Sequence, residues 1–464
     1  MKPKNQLSRR QLLQVGGIGA LGLHLPNLLA ADAMGQGLDQ RGGGGEKSCI
    51  FIYQYGGLSQ LDSWDPKPLA PSELRGPYQS IATATPGFRV GELMPRLAAL
   101  SNEYAVIRSM SHGVSVHNRA NEMLLAGHSN PRQDAPSFGS IVSKLRPSSA
   151  SVPPYVWLQK FGGGAAPSES SYLTGGHLGI GHAPLLIGEQ HDQNPANPEF
   201  RVRAFDTAEE VSSTRLDQRR NLLSELQRPR QFLDKSPPGE ALDVFQERSF
   251  DLLRGSEARR AFEVAHEPAP LRDRYGRNPL GQNLLLARRL VEAGVRLVSV
   301  VAWTGLGVGE KFVSIETWDM HGNAGIGIFD DGWNGLGFAL PRADQAVATL
   351  LEDLRDRGML DSTVVALVGE FGRTPVISRG AKAIGRDHWP QCFSAMLAGG
   401  GIQGGAVYGE SDRTAAFVKN GPVSPADFSA TMFAALGINP TARLSNDGFT
   451  QPASEGEPIR ELLR

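Results

Sequence analysis

The run Ser48-Cys49-Ile50-Phe51-Ile52-Tyr53, halted by Gly56-Gly57 and followed by Leu58-Ser59-Gln60-Leu61-Asp62, decides how this chain is read. An uncharged apolar run ended by glycines predicts a central strand buried on both faces. An acid a few residues beyond such a strand stands where α/β folds build metal and catalytic sites. Comparable runs recur at Tyr104–Arg108, Pro154–Leu158, Val295–Val301 and Thr363–Val368, and at Phe393–Leu397, which reads as an edge strand. Helical patterns lie between them: 92–100, 118–126 stopped by Gly127, 282–293 closed by Gly294, and 344–357 stopped by Gly358. Ser424-Pro425-Ala426-Asp427 is a helix start, with a capping serine, proline at the first helical position and an acid in the first turn. Strands alternating with helices predict an α/β fold, a doubly wound, mostly parallel sheet with helices on both faces. Residues 161–200, rich in Gly, Pro, Ser and His, read as long loops. Residues 208–268, with Leu216, Leu222, Leu223 and Leu226 at helical spacing, read as a helical insertion with solvated charged faces.

Across 464 residues, 47 basic side chains balance 48 acidic ones, which gives no bulk charge for a nucleic-acid partner or an anionic membrane. The N-terminus reads as a targeting segment, 1–33. Ser8-Arg9-Arg10-Gln11-Leu12-Leu13 precedes a weakly apolar stretch, and Ala31-Asp32-Ala33 offers a small-x-small cleavage site. Adjacent arginines in that setting resemble a twin-arginine signal, which implies the twin-arginine export machinery as a partner and a periplasmic or secreted protein. An ordinary secretory signal or an uncleaved anchor is the competing reading. A glycine-rich linker, 34–46, leads into the folded domain, 47–464. No later stretch offers the roughly 20 apolar residues of a membrane span, so no transmembrane segment is expected in the mature chain. The two cysteines, Cys49 and Cys392, sit in apolar runs and read as buried free thiols.

Chemistry gathers in short motifs. In Trp318-Asp319-Met320-His321-Gly322, extended backbone would point Asp319 and His321 to one side, within reach of one ion. Glu370 directly follows the strand at 363–368, and Arg373 is placed either to orient it or to bind an anion. In Arg386-Asp387-His388-Trp389, one of Asp387 and His388 suits a ligand and the other its supporting partner. A fourth group holds Ser111, His112, Ser115, His117, Arg119 and His128. Each of these residues alone is more often structural: a loop Asp, a Glu paired with Arg373, a satisfied core histidine. Asp65 reads as a turn residue before Pro66.

Taken in order, these motifs resemble the alkaline phosphatase and sulfatase superfamily, and within it the DUF1501 family. The resemblance rests on Gly-Gly-Leu-Ser-Gln-Leu-Asp-Ser-Trp-Asp-Pro-Lys at 56–67, Trp-Asp-Met-His-Gly-Asn at 318–323, Gly-Glu-Phe-Gly-Arg-Thr-Pro at 369–375 and Gly-Arg-Asp-His-Trp-Pro at 385–390. It covers nearly all of the mature chain. It implies a metal-dependent hydrolase of a phosphate or sulfate ester on an alkaline-phosphatase-like core. Carried over, Asp62, Glu370 and either Asp387 or His388 would hold one divalent ion, and Asp319, His321 and His388 a second. Two ions about 4 Å apart would clamp the attacking and leaving oxygens. Mixed carboxylate and imidazole ligands suit Zn, Mn, Fe or Mg. Arg119 or Arg373 would neutralise the anionic ester substrate. The nucleophile departs from the pattern. His117 stands where the resemblance places it, Ser115 lies two residues away, and no Cys-x-Pro-x-Arg is present, which excludes the formylglycine route. His117 could instead be a metal ligand, or the fold could bind without turnover.

Overall fold

The computed structural model describes residues 46–148, 152–158, 174–188, 193–205, 212–233, 237–305, 318–322, 327–331, 335–379, 383–444 and 451–464. Residues 1–45, on which the expected targeting signal and most of the linker fall, and residues 306–317 lie outside the described residues.

Eight strands form the central sheet: β1 (Ser48–Tyr53), β2 (Tyr104–Met110), β3 (Tyr155–Leu158), β4 (Leu185–Ile187), β5 (Leu297–Val301), β6 (Thr363–Val368), β7 (Phe393–Ala398) and β8 (Val407–Tyr408). Their order is β8-β2-β7-β6-β1-β5-β3-β4. β1 lies inside it, pairing in parallel with β5 through Cys49↔Leu297 and with β6 through Cys49↔Val364. Every β1 residue is buried. Ile50 and Ile52 join the core on one face with Leu284 and Leu350. Those residues belong to α5 (Pro279–Glu292) and α6 (Leu336–Asp356). Cys49, Phe51 and Tyr53 face the other core. That second core is closed by α1 (His117–Ala126), α2 (Phe138–Leu145) and α7 (Pro425–Ala435). The period-two alternation of one strand thus feeds two hydrophobic layers, the doubly wound arrangement expected of the sequence. Both cysteines are free and buried.

β7 corrects one expectation. It is internal, lying between β6 and β2 and antiparallel to both. Parallel strands need a crossover, usually helical, and among the described residues no helix joins β6 to β7. The connection is a set of short two-residue strands instead, so the chain returns down the neighbouring lane. β4 is a second correction, an edge strand within a segment read as loop. α6 begins eight residues before the expected Asp344 and carries Pro341 within it. The insertion contains two long helices, α3 (Ser213–Leu233) and α4 (Pro237–Arg254). Arg220 joins them by pairing with Glu247 and Asp251. Among the described residues no helix is long and apolar enough to cross a membrane.

The start of α7 is a reciprocal cap. The Ser424 hydroxyl accepts from the Asp427 amide, and the Asp427 carboxylate accepts from the Ser424 amide. Ser424→Ala should cost about 1 kcal/mol of stability, read as a lowered denaturation midpoint in urea with an unchanged slope.

Candidate metal centre

The site forms where the loops after β1 and β6 meet the Trp318–Gly322 segment and the start of α1. Extended backbone at 318–321 alternates its side chains. Trp318 and Met320 are buried in the core, and the Trp318 indole donates to the Ala302 carbonyl at 2.8 Å. Asp319 and His321 project the other way, their Oδ1 and Nε2 2.9 Å apart. Two glycines permit this packing. A Cβ on Gly56, whose φ is +104°, would lie 2.3 Å from the Asp319 nitrogen, and one on Gly385 would lie 2.2 Å from the His321 carbonyl carbon. Gly372–Arg373 pairs antiparallel with His388–Trp389, setting His388 opposite Arg373.

Four side chains converge. Asp319 Oδ1 lies 3.4 Å from His117 Nε2, 2.9 Å from His321 Nε2 and 3.0 Å from His388 Nε2. The ligand atoms of His117, Asp319 and His388 all fall within 4.8 Å of one another. Each imidazole holds an acceptor with its other nitrogen. His117 Nδ1 meets Glu370 Oε1 at 2.7 Å, His321 Nδ1 meets Asp387 Oδ1 at 2.9 Å, and His388 Nδ1 meets the Ser115 carbonyl at 2.8 Å. Those acceptors favour a proton on the Nδ1 of each neutral ring, which turns each Nε2 toward the centre. Three imidazole Nε2 atoms and a carboxylate oxygen then face one another, with His321 and His388 Nε2 only 2.8 Å apart, so each close pair needs a shared proton or a cation between its atoms. Outer acceptors holding inward-facing imidazoles are the usual surroundings of a metal, so the donor set fits a divalent ion.

Arg373 supports Asp319 from behind. It is fully buried and donates to the Asp319 carboxylate at 2.6 Å, to Gly57 O at 3.1 Å and to Arg386 O at 2.9 Å. Burial would raise the Asp319 pKa, but its bonds to the three histidines and the charge of Arg373 hold it far below the usual carboxylate range. Burial also lowers the pKa of His388, and the charge of Arg373 adds to that against the pull of Asp319.

Of the residues singled out in the sequence, Asp319, His321, His388 and His117 come together. Glu370, Asp387 and Arg373 reach the cluster through those side chains. Glu370 is wholly buried and also accepts from the Gly56 amide at 2.8 Å and the Tyr53 hydroxyl at 3.1 Å. Three residues read as site groups are placed elsewhere. Asp62 pairs with the buried Arg386 guanidinium, Nε to Oδ2 at 2.9 Å. Arg119 turns to Glu122 and Asn130. Ser115 is exposed and enters through its backbone carbonyl. His112 bonds the Glu370 carbonyl at 2.6 Å, and His128 lies 3.7 Å from Glu455. The sequence reading missed Tyr53, whose hydroxyl also lies against the Asn121 side chain. The available signals were a hydroxyl ending an apolar run and an Asn one helical turn after His117.

In the ion-free protein burial lowers the His117 pKa, but hydrogen bonds to Asp319 and Glu370 outweigh it and lift the value from 6.5 to about 9. A base whose pKa rises on folding stabilises the fold fully below its unfolded value and loses that contribution as pH climbs through its folded value. Chelator-treated protein should therefore lose thermal stability between about pH 6.5 and 9. A metal ion competes for the same nitrogen, so apparent metal affinity should rise by up to about tenfold per pH unit across that window. An affinity flat with pH would remove His117 from the ligand set. Glu370→Gln keeps the shape but loses the charge behind His117, and should weaken metal binding by about 10- to 100-fold in a calorimetric titration.

No curated protein matches the sequence significantly. The chain resembles several solved structures. One is the PsFucS1 sulfatase from Pseudoalteromonas sp., 12% identical, matched over 85% of this chain and 68% of that one with a TM-score of 0.38. Another is the lipoteichoic acid synthase LtaP from Listeria monocytogenes, 11% identical over 86% and 74% with a TM-score of 0.36. A third is the phosphonate monoester hydrolase SpPMH from Silicibacter pomeroyi, 10% identical over 90% and 76% with a TM-score of 0.33. Scores this low carry no argument about chemistry. A family model described as "Protein of unknown function (DUF1501)" matches residues 46–463, and with that coverage the chain belongs to the DUF1501 family.

Proposed function

We propose that this chain is an exported, metal-dependent hydrolase of an anionic ester, phosphate ahead of sulfate. The observation that carries this reading is the convergence of His117, Asp319 and His388 on one point with His321 beside them. With His117, Asp319 and His388 as the ligands and His321 left as their neighbour, a coordination position would stay open, as catalytic centres require. The ion would supply Lewis-acid polarisation of the ester's phosphorus or sulfur centre. His321 is the proton carrier: Asp387 fixes its Nδ1 proton, and Nε2 faces the centre, where it can take a proton from the attacking group or return one to the leaving oxygen. Glu370 and the Ser115 carbonyl orient His117 and His388. The twin-arginine motif supports export through that machinery to the periplasm or beyond, as a folded protein.

A second reading, an exported binding or assembly protein with a structural metal, draws on one observation. Arg373 and Arg119, the cations that would neutralise an anionic ester, direct their guanidinium groups to protein acceptors. Metal content and turnover on phosphomonoesters, phosphodiesters and sulfate esters separate the two. Under the hydrolase reading His321→Ala keeps its metal and loses turnover by about 100-fold or more, whereas His388→Ala loses both. Full metal content with no turnover on any ester class, across pH, would establish the binder.

A further inference from the structure

We infer that the centre takes one divalent ion, and that Arg386 supplies permanently, at Asp62, the positive charge that a second ion would bring. This rests on the metal-centre reading above and sets its stoichiometry. Asp62 follows the central strand, where the resemblance places a ligand to a second ion. Both of its oxygens are already engaged. Arg386 Nε donates to Oδ2 at 2.9 Å and Nη2 to Oδ1 at 3.2 Å, a bidentate fork, and the Ser59 hydroxyl donates to Oδ2 at 2.5 Å. Neither the Asp62 nor the Arg386 side chain is exposed, at 0% each.

The remaining guanidinium protons are also placed. Nη2 donates to Leu74 O at 2.7 Å, and Nη1 to Thr374 O at 3.1 Å and to Pro375 O. All five N–H groups thus have acceptors, so the head group has no alternative partner to swing toward. On the far side a Cβ added to Gly76 would come within 3.2 Å of Asp62 Oδ1, so backbone closes against the carboxylate. An incoming divalent ion would have to expel a fully bonded, fully buried guanidinium and would meet its charge in a dry environment. Among the described residues the one grouping of three or more His, Cys, Asp or Glu ligand atoms is His117, Asp319 and His388. A single motif, Arg386-Asp387-His388, therefore delivers a fixed cation to Asp62 and an imidazole to the exchangeable one.

The test is ion stoichiometry on the purified full chain, stripped with chelator and titrated with Zn²⁺ or Mn²⁺ by calorimetry, with elemental analysis after desalting. One ion per chain in a single binding step is expected. Two per chain overturns this inference and leaves the metal-centre reading standing; none overturns both. Asp62→Asn should retain the one ion and His388→Ala should lose it. Loss of the ion in a folded Asp62→Asn protein, as judged by circular dichroism, would make Asp62 a ligand and end the proposal. The wild-type count decides by itself where that variant fails to fold.

Discussion

The Glu370 carboxylate is wholly enclosed in protein, and the rest of the site hangs from it. Burying an ionised carboxylate is costly unless donors replace the water it loses. Here the donors come from three places: the Gly56 amide just past β1, the Tyr53 hydroxyl at the end of β1, and His117 at the start of α1. Its own backbone follows β6. One group therefore ties two adjacent central strands to a helix that comes from elsewhere in the chain. Any shift of these elements would strand a charge in a dry interior, so the electrostatics penalise deformation more than packing alone would. The carbonyl of the same residue takes the His112 bond, which anchors the loop leading into α1.

Two aspartates show how neighbours, rather than residue type, assign roles. Asp62 meets a guanidinium whose charge does not depend on pH in the physiological range. Asp319 meets three imidazoles and one guanidinium that holds it from behind. The first environment is complete without any added ion. The second gathers three imidazole nitrogens around one carboxylate oxygen, a set that a cation would join. The same contrast separates Arg386 and Arg373 from free anion-binding arginines: both are fully buried and satisfied by protein acceptors, and both act by positioning.

Much of the layout was legible because it follows periodicity. β1, β5 and β6 are uniform apolar runs, and a strand buried on both faces can hardly read otherwise. The alternation in Trp318-Asp319-Met320-His321 predicted which pair shares a side, and the Ser424-Pro425 start was recognisable because capping is local. What failed to show was non-local. Asp62 and Arg386 are 324 positions apart and bear no mutual pattern. The direction of β7 depends on a missing crossover helix, which no single residue announces. The Phe393–Leu397 run reads as an edge strand, yet its small Ser394 and Ala395 are what a strand between two close neighbours accommodates. Glu370 was recognised as a site residue, but its place behind His117 instead of beside the ion depends on where α1 begins.

The position of His117 in the first turn of α1 bears on its state. The amino end of a helix carries partial positive charge and disfavours a cationic side chain. Glu370 and Asp319 pull the other way and win in the ion-free protein. An ion bound by Nε2 would ease the conflict: the ring would stay neutral beside the helix terminus, with its Nδ1 proton still donated to Glu370, and the ion would supply the positive charge facing Asp319. A metal and a proton thus compete for the same Nε2, and the helix terminus weighs against the proton.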